Sequence, residues 1–213
     1  MALFDEKVRK QLSEVLAQMK EEVKIVFFSQ EIECTTCRDA RSFVEEISAL
    51  NGKIKLEKYS LVTDKAAAEQ YRVDKVPAMV ILDKAGEDKG IRFYGIPGGY
   101  EISSFLSALL VVSGRQESLP QSIADRIAKI DKDIDIQVFV TLGCPYCPDA
   151  VETAHRIALE NKRVRASMVE SNSFINLAVK YNVNSVPKIV INDQYELVGA
   201  QPITAFLDMI EKI

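Results

Sequence analysis

A chain of 213 residues has room for one large domain or two of ordinary size, each able to bury a core. Charged residues make up 27% and hydrophobic residues 47%, the balance of a globular protein. A net charge of −4 and a pI near 5.3 exclude the basic surface that nucleic acid needs as a partner, and no apolar run reaches membrane-spanning length.

The first twelve residues carry charges where a signal peptide would be apolar, so a cytoplasmic protein without membrane contact is expected. An amphipathic helix opens the chain, with Leu12, Val15, Leu16 and Met19 at helical spacing; it serves to pack on its own sheet or to contact a second copy of the chain. A strand follows over 23–28, then a helix from Cys34 to about residue 50 and a strand near 54–58. Next come a helix near 64–71, strands at 78–82 and 91–95, and a closing helix near 100–112. The stretch Ser113, Gly114, Arg115, Gln116, Glu117, Ser118, Leu119 and Pro120 has the punctuation of a linker and divides the chain into halves, 1–116 and 117–213.

The second half repeats the first: helix 122–130, strand 134–140, helix from Cys144 to about 161, strand 163–169, helix 173–181, strands 188–191 and 196–198, helix 203–210. Strands alternating with helices imply parallel pairing, and the final hairpin adds an antiparallel edge. The order describes an α/β protein of two tandem thioredoxin-like folds, each a mixed four-stranded sheet flanked by helices with an extra helix in front.

The repeat also carries the chemistry. Cys34-Thr-Thr-Cys37 and Cys144-Pro-Tyr-Cys147 hold all four cysteines, 110 residues apart (34 to 144). Each is followed after 43 residues (34 to 77, 144 to 187) by the proline of a Val-Pro pair, Val76-Pro77 and Val186-Pro187. A sextet Tyr-x-Val-x-x-Val leads into each pair, from Tyr71 and from Tyr181.

Only a thiolate attacks a disulfide, and a helix start favours the anion through its free N–H groups and dipole. Two intervening residues bring the second sulfur within disulfide range. Cys34 and Cys144 are therefore expected as nucleophiles, Cys37 and Cys147 as resolving thiols, with redox disulfides Cys34–Cys37 and Cys144–Cys147. The shared spacing points to cis Val-Pro bonds, leaving the Val76 and Val186 backbones to pair with an extended substrate by strand addition.

These residues closely resemble the glutaredoxin-like protein disulfide oxidoreductases of hyperthermophilic archaea and bacteria over essentially the whole chain. The resemblance implies dithiol–disulfide exchange on protein substrates by reduction, formation and isomerisation. It also implies recycling by a thioredoxin-reductase-like flavoprotein, no bound cofactor, and a substrate-stacking role for Tyr146.

Two departures stand out. The strand cores Ile25, Val26, Phe27, Phe28 and Val138, Phe139, Val140 lack the acid that thioredoxins keep behind the dithiol, so no proton acceptor is assigned. The region Gly199, Ala200, Gln201, Pro202 also lacks the Gly-Gly pair with which glutaredoxins hold glutathione. Between the two sites, Glu31 and Glu33 oppose a thiolate at Cys34, with Arg38 a partial offset, whereas Thr141-Leu142-Gly143 is uncharged. Cys144 is thus expected to be the faster site. Pro145 is expected at the first helical position, and Pro148 is expected to kink the helix.

Competing readings are a redox-gated chaperone using the Val-Pro grooves, and a zinc protein. The 107 residues between the pairs (37 to 144) are far outside zinc-ribbon spacing, so no metal is expected. His155 reads as a packing or surface residue. Asp131, Asp133 and Asp135 read as a solvated turn.

Overall fold

The computed structural model describes residues 3–213. The chain divides into two compact units. One holds residues up to Asp88, Tyr94–Ile96 and Leu106–Gln116; the other holds Lys89–Phe93, Pro97–Phe105 and Glu117–Ile213. No described helix is long and apolar enough to cross a membrane.

In the first unit, α1 (Glu6–Leu16) starts where the Asp5 side chain accepts the Val8 N–H at 2.8 Å, and buries Leu12 and Leu16. β1 (Val23–Ser29) runs parallel to β2 (Ile54–Ser60), with Val23 opposite Ile54, and antiparallel to β3 (Ala78–Leu82), with Phe28 opposite Ala78. The unbroken apolar runs of β1 and β3 suit strands covered on both faces, and Val26, Phe27, Val80 and Ile81 are fully buried. The parallel connection from β1 to β2 is made by α2 (Cys37–Ala49), whose Ala40, Phe43, Val44 and Ile47 face the core. α3 (Lys65–Gln70) joins β2 to β3. Ser113, assigned above to a linker, is buried: its Oγ accepts the Lys20 N–H at 3.2 Å and its carbonyl the Glu21 N–H at 3.0 Å.

The second unit repeats the pattern. β5 (Ile134–Val140) runs parallel to β6 (Val164–Glu170) through the crossover helix α6 (Cys147–Glu160), and antiparallel to β7 (Lys188–Ile191), with Phe139 opposite Lys188. β7 turns into β8 (Tyr195–Val198) through Asn192 and Asp193, both at positive φ (47° and 60°), residues that tolerate the primed hairpin turn. α5 (Gln121–Ala128), α7 (Ile175–Lys180) and α8 (Ile203–Ile210) complete it.

Most of β4 (Asp88–Tyr94) counts with this unit, although its sequence lies in the first half. A Cβ on Gly90 would stand 2.4 Å from the Val164 carbonyl, so only glycine allows that approach. The 3₁₀ turn Gly99–Glu101 and the start of α4 (Ile102–Val112) also belong here, and the turn packs on α6.

Candidate functional site

Each cysteine pair lies where an inner parallel strand ends. Both helices begin at the second cysteine, Cys37 and Cys147, and not at the first as the motif led us to expect. Thr36 and Tyr146 are the N-caps, and the first helical carbonyl is that of Thr36, which accepts the Ala40 N–H at 2.9 Å. Cys34 and Cys144 therefore sit in the preceding turn, with Cys144 N–H bonded to the Thr141 carbonyl at 3.1 Å. Pro145 lies outside the helix, in correction of its expected place. Pro148 falls in the first turn, where no intrahelical acceptor exists for an N–H. α6 runs as one helical segment to Glu160.

Both pairs are closed disulfides, with Cα atoms 5.4 Å apart in the first and 5.5 Å in the second. The ring each closes is so short that the chain-entropy gain is only about 2 kcal/mol, small enough for closure to be reversible. Within each pair the first cysteine is the more exposed residue. Cys34 is half-buried against 4% exposure for Cys37, and Cys144 is 7% exposed against none for Cys147. The greater reactivity expected of Cys144 has to come from its charge environment, because access favours Cys34.

Strand register brings each Val-Pro pair to its dithiol's strand. Phe28 opposite Ala78 sets Pro77 at the end of β1 that leads to Cys34, and Phe139 opposite Lys188 sets Pro187 at the end of β5 that leads to Cys144. Both Val76–Pro77 and Val186–Pro187 are cis. The prolines are buried and enter the ladder: the Pro77 carbonyl accepts from Gly95 at 3.0 Å and the Pro187 carbonyl from Gly199 at 2.8 Å. Val76 and Val186, just before the ladder, are half-buried. Tyr146 projects into solvent at 68% exposure.

The two surroundings differ in charge. A cavity of about 430 Å³ reaches Cys34 and Cys37 and is edged by Glu31, Arg38, Asp39 and Arg41. Arg41 donates to Ser29 Oγ at 3.1 Å and Glu31 Oε1 at 3.4 Å, so it is Arg41 that holds the Glu31 charge. At the second site the approach loop is uncharged and clamped by backbone. The Leu142 carbonyl accepts the Tyr100 N–H at 3.1 Å, and a Cβ on Gly99 (φ 57°) would come within 2.2 Å of it.

Sequence reasoning missed Glu101. It is fully buried on the turn packed against α6, the helix that Cys147 begins. Burial pushes its carboxyl up to about 7; the Ser104 hydroxyl donating to Oε2 pulls down and the charge of Glu152 adds to the rise. Oε1 has no hydrogen-bond partner among the described residues. The local signal was a lone acid ahead of the apolar positions Phe105, Leu106 and Leu109, three residues before a serine.

His155 is a packing residue, one of the two roles expected of it. It stands edge-on to Phe93 at 4.9 Å with Nε2 3.3 Å from the Arg92 carbonyl, and burial depresses it to about 3. Asp133 and Asp135 pair with Arg163 (3.3 Å) and Arg165 (2.7 Å).

Two thioredoxin folds, each closing a Cys-x-x-C pair at a helix start beside a cis Val-Pro, define a tandem thioredoxin-type protein. A family model described as a thioredoxin domain matches residues 134–212. The NTD_N/C domain of alkylhydroperoxide reductase AhpF from Enterococcus faecalis is 32% identical with a TM-score of 0.90, covering 97% of this chain and 99% of that one. A protein disulfide oxidoreductase from Aeropyrum pernix is 30% identical with a TM-score of 0.89, covering 97% and 92%. The chain belongs to the thioredoxin-fold family of these two proteins. Among curated sequences, the NADH dehydrogenase of Bacillus subtilis is 25% identical over 192 residues, and an alkyl hydroperoxide reductase of Staphylococcus aureus is 27% identical over 187. These alignments cover 90% and 88% of this chain, which spans about a third of the relatives' own length (35% and 34%).

Proposed function

We propose that the protein exchanges disulfides with protein substrates at two sites, one in each sequence half, 1–116 and 117–213. The observation that carries this reading is the repeated arrangement itself: a closed Cys-x-x-C pair with its first cysteine the more exposed. In the reductive direction the Cys34 or Cys144 thiolate attacks a substrate disulfide, and one substrate thiolate leaves. Cys37 or Cys147 then attacks the resulting mixed disulfide, releasing the second substrate thiolate and closing the protein disulfide. The substrate gains two electrons and the dithiol loses them; running backwards, the same steps form disulfides, and a stalled mixed disulfide permits isomerisation.

The substrate chain lies extended along the backbone of Val76 or Val186, with Tyr146 against it at the second site. A flavoprotein of the thioredoxin-reductase type returns the electrons, in keeping with the reductase and dehydrogenase names of the relatives, and the reducing cytoplasm is the compartment.

Measuring each dithiol's potential tests the reading. Variants with Cys34 and Cys37, or Cys144 and Cys147, replaced by serine are equilibrated with defined thiol buffers. Values near about −270 mV fit a reductase and values near about −180 mV fit disulfide formation and shuffling. If neither remaining pair exchanges with the buffer, the proposal fails.

A further inference from the structure

Lys188 follows Pro187 directly and opens β7, yet it is only 5% exposed. A lysine removed from water needs partners for its ammonium. Nζ has three: it donates to the carbonyls of Tyr181 and Asn182 (the latter at 3.3 Å) and pairs with Glu196 Oε2 at 2.8 Å. All three N–H donors are thereby engaged.

Tyr181 and Asn182 are the turn that ends α7, with Asn182 at a φ of 49°. They also open the sextet Tyr181-Asn182-Val183-Asn184-Ser185-Val186 that leads into the Val-Pro pair. One side chain, anchored just after the proline, thus ties together the two ends of the loop that presents Val186. The first unit has no equivalent, because Ala78 occupies the matching position. There Lys75, inside the sextet, sits 4.1 Å over the Tyr94 ring and pairs with Asp74 at 2.6 Å. The spacing of the two copies is shared; the fastening of their loops is not.

We infer that Lys188 is a positioning residue for polypeptide substrates at the Cys144–Cys147 site, holding the Val186–Pro187 loop in the shape against which an extended chain pairs. The inference rests on the exchange function proposed above. A preformed edge spares the ordering cost at binding, so losing the anchor weakens capture of a polypeptide. A small disulfide needs only the sulfur of Cys144 and is indifferent to the loop.

The test uses the full chain with Cys34 and Cys37 replaced by serine. Kinetics are measured with insulin as the polypeptide and hydroxyethyl disulfide as the small substrate. Lys188→Met is expected to raise KM for insulin about tenfold, the scale of one lost hydrogen bond to a charged group, with kcat and the hydroxyethyl disulfide rate within about twofold. Lys188→Arg is expected to recover most of the loss. Glu196→Gln, which leaves both carbonyl bonds, should change KM by less than about twofold.

An unchanged insulin KM, equal losses on both substrates, or the full effect from Glu196→Gln would each overturn the inference. If Lys188→Met does not fold, Lys188→Gln is judged on the same two arms. With Cys144 and Cys147 replaced instead, Lys188→Met should leave insulin kinetics at the Cys34 site unaltered. A parent single-site protein inert toward both substrates would overturn the exchange reading itself, a result separate from any effect of Lys188.

Discussion

Glu101 and His155 are buried ionisable groups of the second unit with opposite linkage to pH. The carboxyl of Glu101 moves from an ordinary 4.5 up to about 7, so the native state keeps a proton that the unfolded chain has lost in that window. Its contribution is full below pH 4.5 and fades as pH rises through 7, at most about 3 kcal/mol in all. His155 moves from 6.5 down to about 3, so the native state lacks a proton that the unfolded chain holds. Its contribution is full above pH 6.5 and fades as pH falls toward 3.

Between pH 4.5 and 6.5 the two slopes offset each other. Glu101→Gln should therefore unmask a stability that climbs with pH across that range, read by denaturant unfolding at several pH values. A curve as flat as the parent's would show that Glu101 does not hold its proton. His155 was legible in the sequence only as a packing or surface residue, and its burial decides for packing. Glu101 was not legible, because its neighbours on α6 lie far along the chain.

At the level of elements, the second site depends on close backbone approach. Gly99 has a φ of 57° and its absent Cβ leaves room for the Leu142 carbonyl, two residues before Cys144. Gly99→Ala combines a left-handed backbone cost of about 1–2 kcal/mol with a clash against backbone, which has no side chain to yield. We expect a loss of at least about 2 kcal/mol in denaturant unfolding and slower exchange at Cys144, with the Cys34 site unaffected.

Pro148 is buried at the start of α6, so Pro148→Ala should cost about 1–2 kcal/mol through the lost ring contacts and nothing through the N–H, which the first turn of a helix does not use. Thermal unfolding checks it, and an unchanged midpoint would mean that the ring contributes no packing. The order and type of the strands and helices were readable from their periods. The helix starts were misplaced by three residues, because a Cys-x-x-C motif marks the neighbourhood of a helix start and not which residue first takes helical dihedrals.

At the scale of the molecule, the exchange proposed above predicts that two dithiols in separate units act as two separable sites. Removing either pair should leave measurable insulin reduction at the other, while serine at all four cysteines should abolish it, a loss of at least about a thousandfold. Residual activity in the fourfold variant would exclude the cysteines as the reacting groups. The net charge of −4 suits no anionic polymer.

Amino-acid order by itself determined the repeat, the two dithiols, their division into a first and a second sulfur, and the Val-Pro pair at fixed distance. All of these are written in spacing along the chain, and the chemistry of a Cys-x-x-C pair is local. Tertiary structure alone decided that Lys89–Phe93 and the turn at Gly99–Glu101 count with the second unit. It alone decided that Glu101 is sealed from water, and that the Lys188 ammonium reaches the carbonyls ahead of its own proline. Such facts depend on which distant backbone a residue meets, and no period in the sequence reports that meeting. Where a glycine lets strands or loops close to contact distance, or a charge finds its acceptors across a fold, the outcome belongs to packing.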